Sequence, residues 1–529
     1  MFRSTICAAA LLAAFALPAT AKTLVFCSEG NPEAINPQIV TTTTGMNAGT
    51  PIFNNLVEFM PGTTELRPAL AESWTISPDG TEYVFKLRPG VKFHTTPNFA
   101  PTRPLNADDV LFSLERQWKT DHPYHNVSGA RYDYFKDIGM PDILKSIDKI
   151  DDMTVRFVLT RAEAPFLANL AMDFNSVLSA EYADQLLRQG TPEKLDLEPV
   201  GTGPFQFISW QKDVMIRYRA FADYWAGRQP IETLVFSITP NPAVRLTKLK
   251  AGECHVMAFP DPHEVDRIKS DPDLRLMSQE GLNIGYLALN VTKPPLDNLK
   301  VRQAINMAID KESILEAVYR GAGVIAKNPI PPTLWSYNDD IKPYPYDIDA
   351  ARKLLAEAGI SGGFTTDLWY MPVSRAYNPD GKRIAELIKT DLAKIDITVN
   401  LVTYPWEEYR AKLQNGEAPM ALFGWTGDNG DPDNFLNVLL GCTAARIGGN
   451  NVAKWCNAEY DALINQAKLT SDRPQREALY RKAQEIVHAE APWVPLAHSV
   501  VFTGARSNVL NYKMDPLGRH PFEGVSLGE

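Results

Sequence analysis

The chain has 529 residues, of which 45% are hydrophobic and 22% are charged, values that exclude disordered and fibrous proteins. At about 150 residues per domain, this length predicts roughly three domains. The 63 acidic residues outnumber the 53 basic residues and give a net charge of −10. A protein whose main partner is nucleic acid needs a clustered basic face, so the charge argues against that role.

The first 21 residues have the pattern of a secretory signal peptide. Arg3 is the only charged residue, an apolar run covers 6–17, and Ala19–Ala21 forms a small-residue cleavage site. The apolar run is shorter than the roughly 20 residues that a membrane span needs, and no later run reaches that length. We therefore expect cleavage before Lys22, export, and a mature protein without a membrane anchor.

Four cysteines follow the predicted signal peptide, an even number that is typical of exported proteins with disulfide bonds. They are Cys27, Cys254, Cys442 and Cys456. Three pairings are open to four cysteines. The pair Cys442–Cys456 would close the shortest loop. The sequence has no Cys-x-x-Cys pair, which argues against a zinc site.

Helical and strand patterns alternate along the chain. Two runs of alternating polarity flank Pro78-Asp79-Gly80 and predict a β-hairpin over 74–87. Asn106, followed by Asp108 and Asp109, predicts the start of a helix. Similar patterns predict strands at 23–27, 154–159, 215–218, 233–238, 364–370 and 397–402, and helices after Asn298 and at 349–358, 384–395, 460–467 and 473–489. This interleaving is typical of the α/β class.

The sequence lacks the motifs of large enzyme families. It has no Gly-x-Ser-x-Gly elbow, no His-Glu-x-x-His and no P-loop. The acidic segment 428–433 does not fit a calcium loop, because it has neither the glycine nor the glutamate of that template at the required positions. We interpret His122 and His125 as parts of a surface turn rather than as metal ligands. We expect neither an enzyme nor a bound cofactor or metal.

A series of short blocks occurs in order along the mature chain. The blocks are Leu70–Trp74, Ser77–Gly80, Leu87–His94, Asn106–Val110, Gly201–Phe205, Val301–Ala304 and Ala491–Leu496. Together they resemble the extracytoplasmic receptors of ABC importers for peptides, opines and nickel. The blocks Lys22–Gly30, Arg161–Asp173 and Gly424–Phe435 are most similar to the dipeptide-binding members of that family.

The resemblance implies two α/β lobes with a hinge, a cleft between them and an extra domain in the first lobe. Lobe I would be discontinuous, over 22–54, 202–282 and 499–529. The extra domain would be 55–201, and lobe II would be 283–498. The resemblance also implies disulfides Cys27–Cys254 in lobe I and Cys442–Cys456 in lobe II.

Two charged residues are implied to hold the ends of a dipeptide. Asp428 would bind the peptide ammonium, and its alternative role is an Asx turn that caps its own backbone. Arg375 would bind the carboxylate, because a guanidinium can form two parallel hydrogen bonds with it. Its alternative role is that of a surface arginine. We interpret the nearby Asp431 and Asp433 as structural.

Aromatic side chains and one backbone segment are implied to complete the site. Trp406 and Trp425 would form walls of the side-chain pockets, unless they belong to the core. Tyr132 would also face the cleft. The segment 41–50 would pass the ligand as backbone, with Thr44, Gly45 and Met46 beside it, and Gly45-Met46 departs from the Thr-Tyr expected in the family.

We therefore expect a monomeric, periplasmic substrate-binding protein that captures dipeptides and delivers them to the permease subunits of an inner-membrane ABC importer. Tripeptides or longer peptides, an opine, nickel or haem are the alternative cargoes. A secreted hydrolase of peptides or glycans is the alternative from another class of protein. A chemosensory role alongside transport is a further alternative.

Overall fold

A computed structural model describes residues 22–528, without the side chain of Glu407. The predicted signal peptide lies outside the described residues. The strands are β1 (Thr23–Ser28), β2 (Val57–Phe59), β3 (Leu66–Pro68), β4 (Ala71–Ile76), β5 (Glu82–Leu87), β6 (Leu144–Asp151), β7 (Thr154–Leu159), β8 (Phe205–Gln211), β9 (Met215–Ala220), β10 (Thr233–Ile238), β11 (Val256–Ala258), β12 (Leu274–Glu280), β13 (Asn283–Leu289), β14 (Gly323–Ile325), β15 (Phe364–Trp369), β16 (Ile397–Val402), β17 (Met420–Thr426), β18 (Trp493–Arg506), β19 (Val509–Leu510) and β20 (Ser526–Leu527).

Helices lie between many of these strands, as the α/β class requires. The helices are α1 (Thr43–Gly49), α2 (Ala107–Trp118), α3 (Asp133–Asp137), α4 (Met140–Ile143), α5 (Phe166–Leu170), α6 (Ala180–Gln189), α7 (Lys194–Leu197), α8 (Pro242–Ala251), α9 (Val265–Lys269), α10 (Leu299–Ala308), α11 (Lys311–Ile314), α12 (Ile348–Glu357), α13 (Gly381–Ala393), α14 (Trp406–Gln414), α15 (Asp433–Leu440), α16 (Ala458–Lys468) and α17 (Arg473–Glu490). Within residues 22–528, no helix combines the length and apolarity that crossing a membrane demands.

The predicted local signals form the expected elements. The Asn106 side chain accepts a hydrogen bond from the Asp108 amide at 3.1 Å, and Asp109 accepts one from the Asn106 amide at 3.0 Å, so a capping box starts α2. β4 and β5 pair antiparallel across the turn, where Gly80 has a φ of +69°. Both predictions are confirmed.

The largest sheet has twelve strands and consists of two halves that meet in β18. One half has the order β16-β15-β17-β13-β18, and the other continues as β18-β11-β1-β10-β9-β8. Residues Trp493–Ala497 of β18 pair with β13, whereas residues Val500–Arg506 pair with β12. A single strand therefore carries hydrogen bonds of both halves.

Two chain crossings connect the halves where the pairing of β18 changes. The amide of Gly281 donates to the carbonyl of Ser499 at 2.9 Å, and the Asn283 side chain accepts from the Ser499 amide at 2.9 Å. The predicted lobe boundaries at 282/283 and 498/499 fall at this point and stay a prediction. A separate four-stranded sheet, β4-β5-β7-β6, lies within the predicted extra domain.

The cysteines pair as the family resemblance implies. Cys27 at the end of β1 is bonded to Cys254, with 5.8 Å between the Cα atoms, and Cys442 is bonded to Cys456, with 4.6 Å between them. The first bond joins segments separated by 227 residues, and the second closes a local loop of separation 14. Both predictions are confirmed.

Removal of the Cys442–Cys456 bond should destabilise the protein by about 3 kcal/mol, because the reduced chain gains loop entropy in the unfolded state. The double variant Cys442→Ser/Cys456→Ser should therefore have a lower Tm by calorimetry. Cys442→Ser alone is the matched control and should lower Tm by a similar amount. An unchanged Tm in the double variant would contradict the prediction.

Candidate ligand-binding site

Asp428 lies directly after β17, in a loop whose course depends on a close approach of the backbone. The Gly427 amide donates to the Leu282 carbonyl at 2.7 Å. A Cβ atom at Gly427 would lie 2.6 Å from the Phe435 ring and 2.7 Å from the Leu282 side chain, so only glycine fits. The Asn434 side chain accepts from the Asp428 amide at 2.9 Å and donates to its carboxylate at 3.2 Å. Asn434 thus orients the Asp428 carboxylate.

The surroundings of Asp428 favour its neutral form in the empty protein. Burial raises the pKa of the carboxyl to about 7. Hydrogen bonds from Asn434 and Tyr134 and the charge of Arg519 lower this pKa, whereas the nearby Asp173 raises it. Arg519 is itself paired with Asp173 at 2.9 Å. Burial has the largest effect on this pKa. A cation bound next to the carboxylate would lower the pKa again by stabilising the ionised form.

The other two carboxylates of the loop are already paired. Asp431 binds Arg476 at 2.8 Å, and Asp433 lies 3.8 Å from Lys468. Asp428 has no ion pair among the residues that the structure describes. It is therefore the acid of this loop that remains available to a ligand, whereas Asp431 and Asp433 hold the loop.

Tyr134 of the predicted extra domain contacts Asp428. The Tyr134 hydroxyl lies 3.5 Å from the Asp428 carboxylate, and its ring stacks on Phe174 at 6.3 Å. Burial, with the negative charge of Asp428, raises the pKa of the Tyr134 phenol well above its ordinary value. The phenol therefore remains a hydrogen-bond donor at neutral pH.

Tyr132, which we expected to face the cleft, points into the extra domain. Its side chain is 1% exposed. Its hydroxyl accepts from Arg116 Nε at 3.1 Å and donates to the Tyr124 carbonyl at 3.2 Å. Tyr132 has a left-handed φ of +52° just before α3. The backbone turns at this residue, so the side chains of Tyr132 and Tyr134 point in different directions. The prediction for Tyr132 is wrong, and Tyr134 occupies the expected position.

The loop that carries Arg375 is anchored by Tyr377. Gly285 of β13 and Gly424 of β17 are paired across the sheet. A Cβ atom at Gly424 would lie 2.3 Å from the Tyr377 ring, and one at Gly285 would lie 2.1 Å from the Tyr377 carbonyl oxygen. That carbonyl also accepts from the Tyr319 hydroxyl at 2.7 Å. Tyr377, two residues after Arg375, therefore packs directly on Gly285 and Gly424, where any side chain would clash with it.

The Arg375 side chain is exposed and lies close to Trp406. Arg375 and Asn378 exchange two backbone hydrogen bonds, of 3.0 and 2.9 Å, which close a tight turn. The guanidinium lies 5.6 Å from the centre of the Trp406 ring. It donates to the Ser374 carbonyl at 2.9 Å and forms no ion pair among the described side chains. Its charge is therefore also available.

Both predicted tryptophans are partly buried beside these charges. The Trp425 indole donates to the Asn434 side chain at 3.0 Å, so the same asparagine contacts Trp425 and Asp428. Trp406 lies 6.3 Å from Phe423 between ring centres, at the start of α14. Trp425 thus shares Asn434 with Asp428, and Trp406 lies beside Arg375 and packs near Phe423 of the same strand, β17, that carries Trp425.

The segment 41–50 is mostly helical rather than extended. The Thr42 hydroxyl accepts from the Gly45 amide at 3.2 Å and caps α1. Thr44 donates to Glu29 at 2.6 Å, Gly45 packs against Glu33, and Met46 is buried. The helix uses much of the backbone hydrogen bonding in this segment, and the expectation that its backbone passes the ligand stays a prediction. A contact of Thr44, Gly45 or Met46 with ligand stays a prediction.

The loop after β17 is enclosed by the predicted extra domain. The Asn429 side chain donates to Asn169 at 2.8 Å, and the left-handed Gly430 packs on Thr64, where a Cβ atom would lie 2.4 Å from the threonine. These contacts join the loop after β17 to segments of the predicted extra domain.

A cavity of about 100 Å³ lies beside the site but not at Asp428. Its polar lining includes Glu58, Arg67, Asp173 and Arg519. Arg67 bridges Glu58 at 3.1 Å and Glu523 at 2.7 Å, and Arg519 pairs with Asp173, so each of these charges already has a partner within the protein. We place the ligand by the unpaired charges of Asp428 and Arg375 rather than in this cavity.

The predicted His122–His125 turn does not form a metal site. His122 accepts from the Tyr124 amide at 3.2 Å, and His125 lies 2.8 Å from the Arg116 carbonyl oxygen. His125 is buried rather than exposed. Among residues 22–528, no group of three or more His, Cys, Asp or Glu side chains is arranged to hold a metal ion.

Residues 65–446 match the family described as bacterial extracellular solute-binding proteins, family 5. The chain belongs to this family. It is 53% identical to the dipeptide-binding protein of Escherichia coli K12 over 96% of this chain and 95% of that protein. It is 51% identical to heme-binding protein A of Haemophilus influenzae, over 96% and 92% of the two chains.

A solved structure of a family member has the same fold. The dipeptide-binding protein of Pseudoalteromonas sp. SM9913, in complex with Met-Leu, superposes with a TM-score of 0.87 and is 40% identical. The match covers 96% of this chain and all of that one. The two-lobed α/β fold of the solute-binding proteins is thus shared, and the predicted fold class is confirmed.

In the ligand-free protein, the Asp428 carboxyl should titrate near pH 7, because burial outweighs its hydrogen bonds. Carbon NMR of aspartate-labelled protein would show this titration, with Asp428→Asn to assign the signal. Asn434→Ala removes a hydrogen bond that lowers the pKa, so it should move the titration to higher pH. A titration near pH 4 would contradict the prediction.

Proposed function

We propose that this protein is the periplasmic receptor of an ABC importer for dipeptides. The observation that carries the proposal is a pair of charges, Asp428 beside Trp425 and Arg375 beside Trp406, neither of which forms an ion pair among the described residues. The relatives support it: the Escherichia coli protein is a dipeptide-binding protein, several Pseudomonas aeruginosa relatives are di/tripeptide-binding proteins, and the Pseudoalteromonas protein was solved with Met-Leu.

A free dipeptide complements these two charges. It is a zwitterion whose ammonium and carboxylate are separated by less than about 10 Å, the length of two extended residues. Asp428 binds the ammonium and Arg375 the carboxylate. The single peptide amide is then satisfied by protein backbone or water. Because both termini of the peptide are bound at fixed positions, such a receptor selects peptides by their length.

The aromatic side chains provide tolerance for different peptides. Trp406 and Trp425 offer flat faces that exclude water without requiring one side-chain shape. Tyr134, rather than Tyr132, closes the Asp428 end of the site from the extra domain. Its phenol donates to the carboxylate that also receives the peptide ammonium.

Ligand binding favours the closed arrangement of the lobes. Asp428 lies in proposed lobe II (283–498), and Tyr134 lies in the proposed extra domain (55–201) of lobe I. A ligand that contacts both stabilises the closed form through its higher affinity for that form. We propose that the permease of the inner membrane recognises this form, that the monomer acts without catalysis, and that residues 1–21 direct its export.

Removal of either charge should weaken dipeptide binding by about 2–5 kcal/mol, since the partner charge is left buried and unpaired. Asp428→Asn and Arg375→Met test this by titration calorimetry with Ala-Ala on protein stripped of ligand by unfolding and refolding. The exposed residues Asp349 and Arg383, changed to Asn and Met, are the matched controls. Unchanged affinity in either site variant would refute the role of that residue.

N-acetyl-Ala-Ala tests the proposed function itself, because acetylation removes the ammonium and keeps the carboxylate. We expect one-to-one binding of Ala-Ala and loss of binding for the acetylated peptide. If neither binds, dipeptides are not the cargo. Tri-alanine and haemin, titrated in the same series, then test the alternative cargoes.

Dipeptide affinity should fall on acidification, because the ammonium binds the ionised form of Asp428. With a pKa of about 7 for Asp428, the dissociation constant should rise about tenfold per pH unit below pH 7. It should be lowest between about pH 7 and 8 and rise again above that range, where the peptide ammonium loses its proton. Calorimetry between pH 5 and 8.5 measures this dependence. The opposite slope below pH 7, or a flat profile there, would contradict the proposed role of Asp428.

A further inference from the structure

Arg410 places a second guanidinium beside the proposed carboxylate site. Trp406 and Arg410 are four residues apart in α14 and therefore lie on one face of the helix. The Arg410 guanidinium is 5.9 Å from the centre of the Trp406 ring, and that of Arg375 is 5.6 Å from the same centre. Both distances are within the range of a cation–π contact. The ring of Trp406 thus has the guanidiniums of both Arg375 and Arg410 next to it.

The position of Arg410 is set by the anchoring of α14. Tyr409 is fully buried, and its hydroxyl donates to the Leu422 carbonyl of β17 at 2.6 Å. This bond fixes the helix against the strand that leads to Asp428. The neighbouring Arg410 is partly exposed beside the ring of Trp406.

No described carboxylate pairs with Arg410 at 4.0 Å or less. Its positive charge opposes the larger effect of burial, which raises the pKa of both Tyr134, the residue that contacts Asp428, and Tyr377, the residue that anchors the Arg375 loop. Asp137 also interacts with the charge of Arg410, at more than ion-pair distance. Arg410 therefore lies close enough to the proposed site to act on the charges around it.

Among the described side chains without an ion pair, the proposed site has the carboxylate of Asp428 and the guanidiniums of Arg375 and Arg410, while Asp137 acts on Arg410 only from beyond ion-pair distance. A zwitterionic dipeptide such as Ala-Ala matches Asp428 and Arg375 and leaves the charge of Arg410 without a partner. A ligand with one ammonium and two carboxylates would match all three charges.

We propose that Arg410 is a specificity-determining residue that selects peptides with a second carboxylate next to the C-terminal one. The ligand class is a dipeptide with aspartate or glutamate as its second residue. A side chain from that residue starts beside the carboxylate at Arg375 and reaches the other guanidinium near Trp406. This inference rests on the proposed dipeptide function and adds a preference to it.

The test compares Ala-Glu with Ala-Gln, which have nearly the same shape and differ in charge. For the unmodified protein, calorimetry should give a dissociation constant about tenfold lower for Ala-Glu, the usual order for a charge-assisted hydrogen bond. Arg410→Met should bring the ratio close to one. Arg410→Lys retains the charge and should retain part of the preference.

Lys412→Met is the matched control from the same helix. Lys412 pairs with Glu417 at 3.0 Å and should not affect the ratio. Thermal unfolding of each variant shows that it is folded. A ratio of one in the unmodified protein, or an unchanged ratio in Arg410→Met, would overturn the inference.

Two further peptides separate the possible failures. Glu-Ala carries its second carboxylate at the first residue, and a similar Arg410-dependent preference for Glu-Ala over Gln-Ala would overturn the assignment to the second residue. Binding of Ala-Ala with no preference for Ala-Glu refutes the role of Arg410 alone. Failure of every peptide to bind refutes the proposed function together with this inference.

Discussion

The two halves of the main sheet depend on one strand, β18. Its first residues complete the sheet of β13 and β17, and its last residues complete the sheet of β1, β11 and β12. A break in β18 would leave backbone groups of both halves without partners. The pairing changes at the short region around Ser499, and both halves of the sheet are positioned relative to this one strand.

The site combines buried structure with charges that the protein does not neutralise. Asp431 is paired with Arg476, so the loop is held without using Asp428. The paired glycines Gly285 and Gly424 admit Tyr377, so the Arg375 loop is held without using its guanidinium. A carboxylate kept out of water without a partner is costly, and its raised pKa is the sign of that cost. A ligand that supplies the missing charge removes the cost, which is how such a site gains affinity.

The extra domain contributes to the site as well as to the core. Its loop at Asn169 binds Asn429, and its helix α3 brings Tyr134 to Asp428. The enclosure of the Asp428 loop therefore requires the extra domain and lobe II to be together. In the proposed mechanism, a ligand that binds between these segments stabilises the same contacts.

The sequence by itself determined the local elements, such as the capped helix α2 and the hairpin β4–β5, because their signals are turns and caps within a few residues. The family blocks also indicated Asp428 and the two disulfides. Asn434 lies in the same block as Asp428, eight residues after the end of β17, but the sequence did not indicate its role.

Only the tertiary structure decided that Tyr134 and not Tyr132 reaches Asp428, since one left-handed residue turns the chain between them. It also decided that Thr43–Gly49 is helical and that Gly285 and Gly424 together seat Tyr377. The grouping of Arg375 and Arg410 around Trp406 likewise joins a loop and a helix that are remote in sequence. Contacts of this kind depend on the packing of distant segments, which no local pattern records.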